Sequence, residues 1–340
     1  MIYRSKAPLR IGLAGGGTDV SPYCDQFGGA ILNATVSLYA MATIEPLDEP
    51  VIELVAQDRG ENARFAWAKE LPVNGELDLL KGVYNRIQRD YGIPEAGFRL
   101  STFVDAPAGS GLGTSSTLVV AIIGAFTEML RLPLGEYDMA HYAYEIERQD
   151  LGLAGGRQDQ YAATFGGVNF MEFYGDDKVI VNPLRIRPEY LFELENNLLL
   201  YYTATSRESA AIIQKQSRNV QEQKGKSIEA MHQLKEQARL MKEALLKGRI
   251  HEIGQILDFG FQQKKQMAEG ISNSLIDEIY EAATKAGATG GKISGAGGGG
   301  FMTFYCPGTS KYSVQKALLR FGGRHRRYQF IEHGLKTWTI

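Results

Sequence analysis

The sequence predicts an α+β protein built as two domains, and three observations lead there. The chain has 340 residues, beyond the size at which a single hydrophobic core usually stops growing. Strand-type patterns fill the first third and helical patterns follow. Near residue 197 a strand opens a second cycle of strand, helices and strands. The domain boundary is therefore expected between Pro183 and Leu194, dividing the chain into residues 1–190 and 191–340.

Taken in order, Lys6–Ala14 alternates as a strand and meets Gly15-Gly16-Gly17, where the chain must turn. Gly28-Gly29 introduces the alternating, β-branched run Ala30–Ile44, which stops at Pro46. Val51–Ala56 reads as a strand, Leu77–Tyr91 as a helix ended by Gly92 and Pro94, and Phe98–Val104 as a strand. Helices are expected over Thr117–Leu130, Leu134–Gln149 and Arg157–Thr164, then short strands at Val168–Phe173 and Val179–Asn182. Asn197–Thr203 is a buried-type strand. Ile228, Met231, Leu234, Ala238, Met241 and Leu245 recur every three or four residues, which marks one apolar helix face used for core packing. A helix over Ser274–Ala286, a strand at Phe301–Cys306, a helix over Lys311–Phe321 and a last strand at Tyr328–Glu332 complete the reading.

Charge narrows the function. The 37 basic and 39 acidic residues nearly cancel, and no long run of one sign occurs, so no whole-chain field points to nucleic acid or a membrane surface. Cys24 and Cys306 stand at no metal-ligand spacing and make no disulfide framework, which fits a reducing compartment. The first residues lack the apolar core of a signal peptide, and the longest apolar run, Leu118–Phe126, is too short to span a bilayer. A soluble, cytoplasmic protein is expected, and nothing in the sequence indicates an oligomer.

An anionic small molecule must then be met by local geometry, and Pro107–Ser116 supplies it. Gly109, Gly111 and Gly113 let the backbone curl with its amides inward, and Thr114, Ser115 and Ser116 follow where a helix begins. A helix N-terminus offers unpaired N–H groups and a favourable field. Pro107, Gly109, Ser110, Gly111, Leu112, Gly113, Thr114, Ser115 and Ser116 thus form a candidate phosphate loop. An ordinary glycine turn capped by Thr114 or Ser115 is the alternative. The loop has no lysine before its hydroxyls and so is not a Walker A loop, and neither it nor Gly15–Gly17 carries the dinucleotide fingerprint. Asp258-Phe259-Gly260 mimics a protein-kinase magnesium motif without the catalytic loop that should precede it.

Phosphoryl transfer further needs a metal ligand, a proton acceptor and a cation for developing charge. Glu147 and Asp159 are the carboxylate candidates. On the residues alone, Glu147 reads more readily as a solvated helix residue, and Asp159 equally as a first-turn capping residue. Gly295–Gly300, between a lysine-led strand and an apolar strand, reads as a close-approach loop beside a bound nucleotide.

Three ordered segments carry a family resemblance. Lys6–Arg10 through Gly17-Thr18-Asp19, Pro107–Ser116 and Lys292–Gly300 resemble the three motifs of the GHMP small-molecule kinases. The resemblance implies the GHMP kinase fold, with an N-terminal ribosomal-protein-like domain containing a left-handed βαβ element and a C-terminal ferredoxin-like domain. It implies ATP and Mg²⁺ as cofactors. It also implies that Asp159 deprotonates or orients the sugar hydroxyl beside Arg10, that Ser115 and Glu147 hold Mg²⁺, and that Gly17, Thr18, Asp19, Asp159, Gly297 and Gly298 meet the sugar. Galactokinases carry Gly-Glu-His-Thr-Asp after their first strand, whereas Gly15-Gly16-Gly17-Thr18-Asp19 keeps only the later residues, which signals another sugar. The variant motifs are most similar to the branch that phosphorylates the anomeric hydroxyl of a heptose 7-phosphate on the way to activated heptose for lipopolysaccharide or S-layer glycans. A fucokinase-like enzyme is the alternative, and a non-catalytic sugar and ATP sensor the second. A sugar phosphate as acceptor requires cations of its own, for which Ser206, Arg207 and Lys292 are the candidates, while Arg324–Arg327 reads as exposed surface.

Overall fold

The computed structural model describes residues 1–205 and 209–340, apart from the side chain of Ser209. In chain order it contains β1 (Tyr3–Ala14), α1 (Tyr23–Phe27), β2 (Gly29–Leu47), β3 (Val51–Ala56), β4 (Glu61–Ala66), α2 (Asp78–Asp90), β5 (Gly97–Val104) and α3 (Thr114–Leu130). There follow α4 (Glu136–Glu145), a π turn over Ile146–Asp150, α5 (Gln158–Phe165), β6 (Val168–Phe173), β7 (Val179–Pro183), α6 (Pro188–Asn197) and β8 (Leu198–Tyr202). The remainder holds α7 (Ser209–Gln221), α8 (Gly225–Leu246), α9 (Ile253–Met267), α10 (Ser274–Lys285), β9 (Gly290–Ile293), β10 (Phe301–Tyr305), α11 (Ser310–Leu318), β11 (Arg324–Arg326) and β12 (Lys336–Thr339).

The first sheet runs β12-β1-β2-β5-β3-β4, with β6 and β7 branching from β2. β2 is long enough to serve two neighbours: residues 29–34 pair with β6 and residues 40–47 with β5. β3 and β5 are parallel, and the other paired strands of this sheet are antiparallel. α3 packs on β1 and β2. It is apolar on every side and correspondingly buried from Leu118 to Phe126, as a helix covered all round must be. That burial fixes the position of its N-terminus, where the glycine loop ends.

The second sheet runs β11-β8-β10-β9, all antiparallel. Its chain order, strand, helices, two strands, helix, strand, is the split β-α-β pattern of ferredoxin-like folds. The apolar stripe of α8 joins the two halves. Met231 and Leu234 lie in the core under the second sheet, whereas Ala238, Met241 and Leu245 lie in the core shared with the first.

Several boundaries differ from the sequence expectation for identifiable reasons. α3 starts at Thr114, inside the hydroxyl run. The expected helix Leu134–Gln149 breaks at Glu145 into the π turn. β4 has no fully buried residue and α6 buries only Leu194 and Asn197, so neither has a strong core face, and a division of the chain at residue 190 falls within α6. The expected strand at Tyr328–Glu332 is a single bridge between Phe330 and Val36. The strands that form instead, β11 and β12, are exposed at every residue and sit at sheet edges, so they bury no apolar face that a pattern could reveal. Cys24 and Cys306 are buried free thiols. Among the described residues no helix is long and apolar enough to cross a membrane.

Candidate active site

The glycine loop turns on left-handed backbone at Gly109, Gly111 and Gly113, with φ of 70°, 86° and 80°. It is clasped from both halves of the molecule. Arg10 donates its backbone N–H to the Leu112 carbonyl at 3.2 Å, and Phe301 donates to the Ser110 carbonyl at 2.9 Å. A Cβ on Gly111 would stand 2.8 Å from the Ser294 carbonyl carbon, so the third motif can close on the second only over glycine. α3 begins at Thr114 behind Gly113, with no side chain capping it and no acidic residue in its first turn. The capped-turn alternative therefore fails, and the first amides of α3 stay available to an anion.

Ala108, Gly109, Gly111, Gly113, Thr114, Ser115 and Ser116 line a cavity of about 560 Å³. Pro107, Ser110 and Leu112 are not on its wall: Pro107 is exposed at the start of the loop, and Ser110 and Leu112 are fully buried.

Arg10 and Asp159 meet in the same cavity. Arg10 donates from Nε to Asp159 Oδ1 at 2.7 Å and approaches the same oxygen with Nη2 at 2.6 Å, while Nη1 donates to the Gly111 carbonyl at 2.6 Å. Asp159 also packs on Gly113, where a Cβ would come within 3.1 Å of its carboxyl carbon. Glu147 is brought in by the π turn, closed by the Leu151 N–H on the Ile146 carbonyl at 3.0 Å. Its side chain is 1% exposed and accepts from Ser115 Oγ at 3.2 Å and Gln160 Nε2 at 2.5 Å. One carboxylate and one hydroxyl from different elements, beside a phosphate loop, suit Mg²⁺, which keeps water and phosphate oxygens in its octahedron. Gln160 Oε1 is meanwhile buried without a partner among the described residues.

Family models agree with this layout, the GHMP kinases N terminal domain matching residues 78–167 and the GHMP kinases C terminal matching residues 241–323. The chain belongs to the GHMP kinases. It is a phosphotransferase of their sugar-kinase type. It is 47% identical over 337 residues, 99% of each chain, to D-glycero-alpha-D-manno-heptose 7-phosphate kinase of Campylobacter jejuni. A crystal structure of a D-glycero-D-manno-heptose 1-phosphate kinase from Bacteroides thetaiotaomicron superposes with a TM-score of 0.85 at 47% identity, covering 99% of both chains. The galactose complex of Lactococcus lactis galactokinase, at 17% identity, a TM-score of 0.78 and coverage of 98% and 95%, shares the fold.

The first motif of this GHMP kinase divides its residues between scaffold and cavity. Asp19 is buried and caps α5, accepting the N–H groups of Arg157 at 2.9 Å and Gln158 at 3.0 Å through Oδ2, with Gln158 Nε2 at 3.5 Å from Oδ1. The capping that Asp159 could have supplied thus comes from Asp19. Burial raises the Asp19 carboxyl above its ordinary value, the amide bond from Gln158 opposing and the charge of Asp159 adding. Gly17 lines the cavity, as Asp19 does, but Thr18 does not. The Thr18 hydroxyl is fully buried between the Gly15 and Ala30 backbones, donating to the Gly15 carbonyl at 2.9 Å and accepting from the Ala30 N–H at 3.1 Å.

The third motif is placed similarly. Gly295 and Ala296 line the cavity, whereas Gly297 and Gly298 pack on the turn around Ile271, to whose carbonyl the Gly298 N–H donates at 2.9 Å. Gly297 and Gly298, expected to meet the sugar, are thus held against that turn and are not among the residues that line the cavity. Lys292 is buried on β9 and donates to the Gly12 carbonyl at 2.7 Å, across to the first sheet. Ser206 and Arg207 lie outside the described residues. Asp258 accepts from Tyr280 and Gln262 at 2.6 and 2.9 Å on α9, away from the cavity.

Lys264 is a cavity residue that the motifs do not reveal. It is 5% exposed and donates to the Gly295 carbonyl. The available signal is its place on α9, three residues after Phe261 and seven after Leu257, on the helix face that should be apolar.

Proposed function

We propose that this kinase transfers the γ-phosphoryl group of ATP to the anomeric C1 hydroxyl of D-glycero-D-manno-heptose 7-phosphate. The product would be the 1,7-bisphosphate, used in the cytoplasm toward activated heptose for surface glycans. The observation that carries the reading is the half-engaged Asp159, one oxygen held by Arg10 and the other without a hydrogen-bond partner among the described residues, in the cavity bounded by the uncapped start of α3. The choice of sugar is supported by the relation to the Campylobacter jejuni protein named for that substrate.

In this reading the loop amides and the start of α3 hold the nucleotide phosphates. Asp159 Oδ2 accepts the proton of the attacking hydroxyl as the sugar oxygen bonds to the γ-phosphorus and the bond to the β–γ bridging oxygen breaks, releasing ADP. Arg10, fixed by Asp159 and the Gly111 carbonyl, stabilises charge on the moving group. Ser115 and Glu147 would hold Mg²⁺, which when bound neutralises phosphate charge.

Two of the relatives are named for different heptose phosphates, one for the 7-phosphate and one for the 1-phosphate. A coupled ADP-release assay on heptose 7-phosphate, heptose 1-phosphate, mannose, fucose and galactose, with ³¹P and ¹H NMR of the product, tests both. Selective turnover of the 7-phosphate with a new anomeric phosphate is the expected result. Turnover of fucose or another unphosphorylated hexose in its place would overturn the substrate and leave the kinase. A fucokinase-like activity is the second reading, which the 26% identity to the Bacteroides fragilis L-fucokinase/L-fucose-1-P guanylyltransferase supports more weakly.

A further inference from the structure

We infer that Lys264, backed by Lys292, is a phosphoryl-binding residue of the active site. It forms a cationic seat on the α9 side of the cavity that takes a phosphate dianion of a bound substrate. The inference rests on the sugar-phosphate kinase reading and adds to it a residue outside the three motifs.

Both lysines are about nineteen-twentieths buried, and among the described residues each ammonium has one protein hydrogen bond, to the Gly295 carbonyl for Lys264 and to the Gly12 carbonyl for Lys292. An ammonium carries three donors. No carboxylate lies within 4 Å of either nitrogen among the described residues; every lysine in an ion pair there is another one. The nearby acids are committed elsewhere, Asp159 to Arg10 and Asp19 to the amides opening α5. The two ammonium groups nevertheless converge. The point where a Cβ on Gly16 would stand is 3.9 Å from both nitrogens, and the side of β1 facing Lys292 is kept bare by Gly12 as well.

Two buried lysines with no carboxylate partner among the described residues, and with Arg10 as a third cation nearby, disfavour one another's charged forms in the empty protein. A purely structural tie to the Gly295 and Gly12 carbonyls would be made as well by a neutral amide. What Lys264 provides beyond that is a cation on the wall of an open cavity, with Lys292 behind it, and a doubly charged phosphoryl group matches it in sign. The phosphate could be the one already on the acceptor or the one in transfer, and kinetics separate the two.

The test compares wild type with Lys264→Gln, which can keep a hydrogen bond to Gly295 without charge, and with Lys264→Met. An acceptor-phosphate role gives a KM for heptose 7-phosphate raised at least tenfold in Lys264→Gln, with KM for ATP and the kinetics on unphosphorylated heptose within twofold of wild type. A transferring-phosphoryl role gives at least a tenfold lower kcat on both acceptors. Wild-type kinetics in Lys264→Gln would overturn the inference, as would losses in Lys264→Met that Lys264→Gln does not share. Failure of the wild type on every sugar phosphate overturns the substrate reading instead, and Lys264 is then judged by its variant-to-wild-type ratio on whichever sugar turns over.

Discussion

Arg10 directs two nitrogens, Nε and Nη2, at a single oxygen of Asp159, Oδ1, at 2.7 and 2.6 Å. A side-by-side fork would have occupied both carboxylate oxygens. The end-on arrangement instead leaves Oδ2 without a hydrogen-bond partner among the described residues, on a side chain 22% exposed, while the guanidinium is locked at its other end by the Gly111 carbonyl. The pair therefore orients a base without consuming it.

Asp159→Asn preserves the Oδ1 contact with Arg10 and removes the proton acceptor. We expect kcat to fall by about 10²–10⁴-fold, with ATP affinity by isothermal titration calorimetry within twofold of wild type. Turnover above a tenth of wild type would remove Asp159 from proton transfer.

The glycine loop and the carboxylates were readable in the sequence because residue type and spacing carry their chemistry: φ near 80° at three alternate positions demands glycine, and a hydroxyl run at a helix start is visible as text. Glu147 was readable only as a candidate, since the π turn that rotates it inward leaves no pattern in Glu145–Asp150. Lys264 was hidden because its role depends on α9 packing beside the first and third motifs, a contact spanning residues far apart in the chain. The fully exposed β11 and β12 escaped because they are held by backbone pairing at sheet edges. Thr18 shows the reverse error, a motif residue whose conspicuous position reflects a buried fastening of two backbone segments.

Glu147→Gln should fold normally. Gln160 can turn its amide so that Oε1, buried without a partner among the described residues, accepts from the new side-chain amide. With the anionic ligand gone, the Mg²⁺ concentration for half-maximal rate should rise at least tenfold, and Ser115→Ala should raise it less. The melting temperature checks the fold, and an unchanged Mg²⁺ titration in Glu147→Gln would exclude that carboxylate from the metal site.

Asp19 holds the helix that carries Asp159, so its substitutions should separate scaffold from sugar contact. Asp19→Ala orphans the N–H groups of Arg157 and Gln158 and should cost about 1–3 kcal/mol in urea unfolding, with a lower kcat as α5 loosens. Asp19→Asn keeps an oxygen for those amides, and burial already disfavours the charged form, so stability should stay within about 1 kcal/mol. A raised KM for the sugar in Asp19→Asn, at unchanged stability, would show a direct contact; unchanged KM and kcat would confine Asp19 to the cap.

Lys264 makes the protein's stability respond to alkali in a defined direction. Burial, reinforced by the positive charge of Arg10 on β1 and opposed by Asp19, lowers its ammonium from 10.5 to about 8. Lys292 on β9 is lowered too, by burial first and then by Lys264 and Arg10, while Asp159 on α5 is paired with Arg10. Between about pH 8 and 10.5 the unfolded chain retains a proton on Lys264 that the folded chain has released, so stability attributable to this group rises with pH across that window. In urea titrations wild type should gain stability relative to Lys264→Met on going from about pH 7 to 9.5, groups that do not interact with Lys264 cancelling in the comparison. Activity should move the opposite way, since a phosphate seat needs the ammonium: kcat/KM should decline above about pH 8 in wild type and lack that limb in Lys264→Met. Parallel stability profiles for the two proteins would show that Lys264 does not titrate in this range.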